Sequence, residues 1–427
     1  MSAKQLFVNA AQVVTCAGPA RARRGAEMSD AGILFGAAVL AHGGEIMAVG
    51  PQDALRAAHE DAQTIDCDNG VLTPGFVDSH THAIFGRARY EEQELRAAGV
   101  PYMEIARQGG GIHASVRDLR TRSEDALYAL ALPRLKALAA SGITTVEVKS
   151  GYGLSLDDEI KSLRVVRRLA QVLPMRIVPT WLGAHEIPMD FRERPNGRRE
   201  YLDLLINDML PIVAREKLGR FADIFCEPGV FTVNESREIL TSARDAGLGI
   251  KMHADELTAG GAAELAGELR ATSADHLAAV SPEGISALAS GGTVATLLPG
   301  TMMFLGKTAQ APARALIEAG VPVALATDFN PGTSPTTNFP LILTLGVSQL
   351  RLSVAEVITA GTVNGAAALA LAGEVGQLAP GFSADLALWD VQDVRELPYW
   401  YGAGRCRGSW ARGKPCHVHD LAVTLTT

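Results

Sequence analysis

The chain has no Cys-x-x-Cys pair and only five cysteines in 427 residues, Cys16, Cys67, Cys226, Cys406 and Cys416. An odd number, widely scattered, fits reduced thiols in a cytoplasmic protein better than a disulfide framework. Nor is there a basic excess: 39 Lys and Arg against 47 Asp and Glu give a net charge of −8. Sequence-independent binding to nucleic acid or to anionic lipid needs the opposite sign, so neither is an expected partner. Any anionic small molecule must then be met by a local cation. Long hydrophobic runs are also missing. The charge-free stretch between Glu356 and Glu374 carries Thr, Asn and several Gly and reads as a buried helix rather than a membrane span. The apolar stretch Leu6–Gly18 after Lys4 is interrupted by Asn9 and Gln12 and does not read as a signal peptide. No internal repeat, P-loop or dinucleotide fingerprint occurs.

What is present is enough apolar sequence for a large core: 47% hydrophobic and 20% charged residues, with 43 Gly and 21 Pro for many turns. The length exceeds what one core usually supports, so a large domain with a smaller companion is expected. Between Val71 and Ala372, β-rich runs alternate with amphipathic stretches. The runs are Gly75–His82, Thr144–Ser150, Met175–Leu182, Ala222–Cys226, Gly249–Ala254, Ser273–His276, Thr293–Leu298 and Pro322–Thr327. Helical segments lie between them at Glu124–Ala140, Asp157–Val172, Glu200–Lys217, Glu235–Ala246 and Pro312–Ala319. Eight such units predict an α/β fold, a distorted TIM (β/α)8 barrel over residues 73–372. The flanks 1–72 and 373–427 carry β-type runs and are expected to pair into one small β-sandwich domain.

The chemistry-bearing residues fall at the predicted strand ends. His80 and His82, two apart on a strand, face the same way. Their spacing alone is a weak signal, since His417-Val418-His419 repeats it in the terminal β region, where no barrel strand ends. The company matters more: Tyr152 follows strand two, His185 strand three, His253 and Glu256 strand five, His276 strand six and Asp328 strand eight. Barrel active sites are assembled from the carboxyl ends of strands. Metal ligands sit ~2.0–2.2 Å from an ion, whereas strands one and eight of an open sheet would stand about 34 Å apart at roughly 4.8 Å per step. A metal shared by His82 and Asp328 therefore requires a closed sheet.

Thr73-Pro74-Gly75-Phe76-Val77-Asp78-Ser79-His80-Thr81-His82 resembles the first-strand motif of the amidohydrolase superfamily. Gln108-Gly109-Gly110-Gly111-Ile112, Lys149-Ser150-Gly151-Tyr152-Gly153, Gly183-Ala184-His185, Lys251-Met252-His253-Ala254-Asp255-Glu256 and Thr327-Asp328-Phe329-Asn330-Pro331-Gly332-Thr333-Ser334 are similar to the branch that opens imidazolone rings in histidine breakdown. The resemblance implies a hydrolase in which His80, His82, His253 and Asp328 hold one zinc or iron ion that activates water. Binuclear relatives place a bridging lysine at the end of strand four; here that end reads Cys226-Glu227-Pro228, which implies a single metal. Glu256 and His276 are the proton-transfer candidates, with metal ligation a further option for His276. The implied substrate is 4-imidazolone-5-propanoate, opened at its ring amide to N-formimidoyl-L-glutamate. Its carboxylate suits Arg89, or Arg87 nearby. Tyr152, His185, Glu256, Asn330, Gly332 and Thr333 complete the implied binding set, and a homodimer is the implied assembly. Two rivals stay open: a deaminase of the same superfamily, acting on a nucleobase or related ring, and a scaffold that kept the barrel without catalysis.

Overall fold

The computed structural model describes residues 3–100, 104–105, 109–419 and 423–424. Gln108, part of one quoted motif, lies outside them. Eight parallel strands form one sheet in chain order: β1 (Phe76–Asp78), β2 (Ile143–Lys149), β3 (Arg176–Ala184), β4 (Phe221–Cys226), β5 (Gly249–Ala254), β6 (Ser273–His276), β7 (Val294–Leu297) and β8 (Val323–Leu325). Between the first and last strands a parallel bridge joins Thr81 to Phe329. Asp328 N–H donates to His80 O at 3.0 Å and His82 N–H to Phe329 O at 2.8 Å. The sheet is a nearly closed barrel, and the seam is made by the residues that carry the candidate ligands.

The helices follow their start signals. Ser155 caps Leu156–Val172 by accepting from Asp158 N–H, and Ile160, Leu163, Val166 and Leu169 line its buried face at helical spacing. Thr232 and Glu235 form a capping box at the start of Val233–Asp245. The segment expected to run as one helix over Glu200–Lys217 is instead broken into Gly197–Asp203, a π-helical turn Leu204–Met209 and Leu210–Arg215. Pro211 explains the interruption, because it brings no N–H to the ladder. The charge-free stretch forms Val354–Thr359, a π turn Ala360–Asn364 and Gly365–Ala368, nearly all buried. Among the described residues no helix is long and apolar enough to cross a membrane.

Strands from both ends of the chain build two further sheets. One orders Val423–Thr424, Gln63–Asp66, Gln5–Val8, Ala37–His42 and Glu45–Pro51; the other orders Lys414–Val418, Cys406–Ala411, Leu386–Trp389, Val71–Pro74, Gln12–Val14 and Ile33–Leu34. Phe7, Val39, Leu72, Leu386 and Trp410 share the core between them. The strand pairing changes at Gly75, between Val71–Pro74 in the small domain and β1 in the barrel. A Cβ there would lie 2.1 Å from Thr144 Oγ1, so only glycine permits the crossing. Trp389 packs its ring on Phe76 and joins the small domain to the barrel floor. His417 and His419 lie at the edge of this domain, on and just after the strand Lys414–Val418.

Candidate metal centre and active site

Alternation along β1 and its extension brings His80 and His82 to the barrel mouth, where their Nε2 atoms lie 3.2 Å apart. His253, at the end of β5, places Nε2 3.4 Å from His82 Nε2. Asp328 Oδ1 is 3.6 Å from Nε2 of both His80 and His82. Asp328 adopts φ 52°, in the left-handed region, as the chain turns inward after β8. Thr301 Oγ–H donates to Asp328 Oδ2 at 2.6 Å, which leaves Oδ1 for the cluster.

These four residues fit a metal. Donors ~2.0–2.2 Å from a tetrahedral ion stand roughly 3.3–3.6 Å apart, close to the separations seen. His80 Nδ1 is 2.6 Å from Asp275 Oδ2, and since a carboxylate only accepts, the ring proton sits on Nδ1 and Nε2 offers a lone pair. His253 Nδ1 stands 3.1 Å from Asp223 Oδ2, close but not aligned as a hydrogen bond. His80 Nε2 and Asp328 Oδ1 thus face the Nε2 atoms of His82 and His253 across one small space, an arrangement that suits a cation. His276 belongs to the same neighbourhood: its ligand atom and those of His80 and Asp328 lie within 4.8 Å of one another.

His276 reaches the site by breaking strand alternation. Asp275 already points inward to His80, and a positive φ of 77° at His276 turns the next residue inward as well. Glu256 follows β5, with Oε2 3.7 Å from His276 Nε2. Burial, and then the neighbouring Asp328 carboxylate, push its carboxyl up to about 8. Burial also raises Asp328 to about 6, against the Thr301 hydrogen bond. The loop carrying Glu256 is held by Glu227, which accepts from Leu257 N–H at 3.2 Å and from Thr258 Oγ–H at 2.5 Å.

His185 stacks on His82 with 5.1 Å between ring centroids and 17° between planes. Its Nδ1 is 2.9 Å from Gly151 O, an acceptor, so the proton is on Nδ1 and Nε2 is left as an acceptor. Burial, then His253, hold its pKa down to about 3 and keep it neutral. Tyr152 lies between, its ring 5.4 Å from His185 and 5.9 Å from His82.

The two arginines separate clearly. Arg87 is exposed and paired with Glu91, whereas Arg89 is buried against the loop after β8. Arg89 N–H donates to Pro331 O at 3.2 Å. Among the described residues the guanidinium makes only long polar contacts, 3.5 Å to Ser115 Oγ and 3.5 Å to Glu92 Oε1. Asn330 braces that loop: its Oδ1 accepts from the N–H groups of Gly332 and Thr333 at 2.8 and 2.7 Å, and its Nδ2 donates to Asp328 O at 2.7 Å. Gly111 N–H donates to Glu92 Oε1 at 2.8 Å, tying the glycine loop to the helix Tyr90–Ala97 that begins just after Arg89.

Sequence reasoning missed the layer beneath. Glu147, Lys149, Asp223, Lys251 and Asp275 are all buried and mutually paired under the imidazoles. The available signal was charge inside otherwise apolar strands: Glu147 and Lys149 two apart on β2, Lys251 two before His253 on β5. Burial alone would push the Lys149 ammonium down, but Asp223, Glu147 and Asp275 carry it above the usual lysine range.

A barrel of this topology with a His/Asp cluster at its mouth defines a metal-dependent hydrolase class, and the amidohydrolase family profile matches residues 71–414, so the chain belongs to the amidohydrolase family. Within that class it is 47% identical over 403 residues to an imidazolonepropionase of Symbiobacterium thermophilum, covering 93% of this chain and 94% of that one. It is 45% identical over 417 residues to the imidazolonepropionase of Geobacillus kaustophilus, covering 96% and 97%. Among solved structures, a zinc-bound adenosine deaminase from Xanthomonas campestris superposes with TM-score 0.72 at 18% identity, over 98% of this chain and 93% of that one. A 5-methylcytosine deaminase from Klebsiella pneumoniae gives 0.71 at 18%, over 98% and 99%. At such identity these two share the fold alone.

Proposed function

We propose that the chain hydrolyses the ring amide C–N bond of 4-imidazolone-5-propanoate to N-formimidoyl-L-glutamate, the imidazolonepropionase reaction of histidine degradation. The observation that carries the reading is the placement of Arg89, a buried cation whose contacts among the described residues are long, against the Asp328–Ser334 loop that also supplies a candidate ligand. An arriving carboxylate replaces those contacts with short charge-assisted bonds. A neutral nucleobase offers Arg89 nothing comparable, which favours ring opening over deamination.

His80, His82, His253 and Asp328 would hold one zinc or iron ion, with His276 beside them. When bound, the ion supplies Lewis-acid polarisation of the ring carbonyl and a water of lowered pKa. The chain's own residues do the rest. Arg89 grips the propanoate and fixes the ring's direction. His185 accepts at Nε2 from a ring N–H, and Tyr152 borders the same face. Asn330 holds the turn of Gly332 and Thr333 by accepting their N–H groups, and these three residues border the substrate as one preformed loop. Glu256, beside His276 at the mouth of the ligand cluster, takes the proton from the attacking water and delivers it to the leaving ring nitrogen. His276 stays neutral and orients the Glu256 carboxyl. A homodimer is part of the proposal. The test is to incubate purified, metal-loaded protein with freshly made 4-imidazolone-5-propanoate and follow loss of ring absorbance with formation of N-formimidoyl-L-glutamate. No acceleration over a protein-free control overturns it.

A further inference from the structure

Lys149 and Lys251 are two lysines with no exposed surface, set in the barrel floor. Apolar side chains of similar size would fill that space without the desolvation of a charge, so their presence calls for a role beyond packing. Lys149 Nζ lies 2.6 Å from Asp223 Oδ2, 2.9 Å from Glu147 Oε2 and 3.5 Å from Asp275 Oδ2. The same Asp275 oxygen contacts His80 Nδ1, and the same Asp223 oxygen faces His253 Nδ1. One ammonium therefore touches both oxygen atoms that address two candidate ligand rings. Lys251 sits differently, on Glu147 Oε2 at 2.7 Å and Ser79 O at 2.9 Å, reaching Asp275 only at 3.8 Å.

We infer that Lys149 is a positioning residue for the metal centre: by clamping Asp223 and Asp275 together it sets the rings of His253 and His80 so that both Nε2 atoms face one ion. The inference rests on the ligand set proposed above. Without the clamp, two buried carboxylates lose their shared counter-charge, turn apart and take the imidazoles with them. Outer-shell partners of this kind are worth ~10–100-fold in metal affinity.

The test is zinc affinity of the metal-stripped full chain, measured by competition with a chelator. Lys149→Met should bind zinc ~10–100-fold more weakly than wild type, with kcat lowered and KM at saturating zinc little changed. Lys251→Met, which removes an equal charge from the same floor, should weaken zinc far less. A folded Lys149→Met protein with wild-type zinc affinity overturns the inference, and so does an equal loss in Lys251→Met. A His82→Ala control separates the two readings: if it too binds zinc as wild type does, the ligand set is wrong and the inference falls with it; if it alone loses zinc, only the clamp is wrong. Should Lys149→Met fail to fold, Lys149→Gln replaces it, and failure of both makes the lysine a folding residue and overturns the positioning role.

Discussion

The guanidinium of Arg89 lies across the α-carbon of Gly332, so closely that a Cβ built there would stand 1.3 Å from Nη2. Gly332 is not in the left-handed region, and alanine is compatible with its backbone. Gly332→Ala therefore displaces the arginine and leaves the loop, a cleaner perturbation than most glycine substitutions. We expect a loss of kcat/KM in the direction of Arg89→Met, with metal content unchanged.

For Arg89→Met itself, an unpaired substrate carboxylate costs about 2–5 kcal/mol in kcat/KM. The check is a comparison of two substrates. Wild type should strongly prefer 4-imidazolone-5-propanoate to an imidazolone lacking the carboxylate, and the Met variant should lose most of that preference. A variant that discriminates as well as wild type removes Arg89 from the binding set.

Glu256→Gln should keep its metal and lower kcat by ~10²–10⁴, the usual contribution of an essential proton-transfer group. Near-normal turnover would transfer that role to His276, and His276→Ala should then carry the large loss. Steady-state kinetics on metal-loaded protein decides between them.

Thr301 acts on the centre through one bond, donating to Asp328 Oδ2 at 2.6 Å. Thr301→Val keeps the shape and removes the donor, leaving a buried carboxylate oxygen without its partner. Stability should fall by about 1–3 kcal/mol in denaturant melts, and metal affinity by ~10–100-fold.

Metal content follows from the same set. Purified protein should approach one equivalent of zinc or iron by elemental analysis, and replacing both His80 and His82 by Ala should abolish it. A second equivalent required for turnover would contradict a single-ion centre.

Much of this was legible because strand ends can be read from hydrophobic patterning. All eight barrel strands lie within a few residues of their expected positions, and the residues placed at their ends do converge. What stayed hidden depends on the third dimension. Nothing in the sequence says that His276 adopts a positive φ and so joins Asp275 on the inner side. That Arg89 is buried and Arg87 exposed is likewise something two arginines in one loop do not reveal. Thr301 is invisible as an outer-shell donor because an isolated threonine after β7 has no pattern. The buried lysines were in view as parts of motifs, but charges inside strands read as accidents until the barrel closes around them.

The most direct test of the central claim is the atom balance of the reaction. With 4-imidazolone-5-propanoate as substrate, mass spectrometry and an ammonia assay run on the same sample should give a product heavier by one water, with both ring nitrogens retained and no ammonia released. Ammonia formed in step with substrate loss, the signature of a deaminase, would contradict the account.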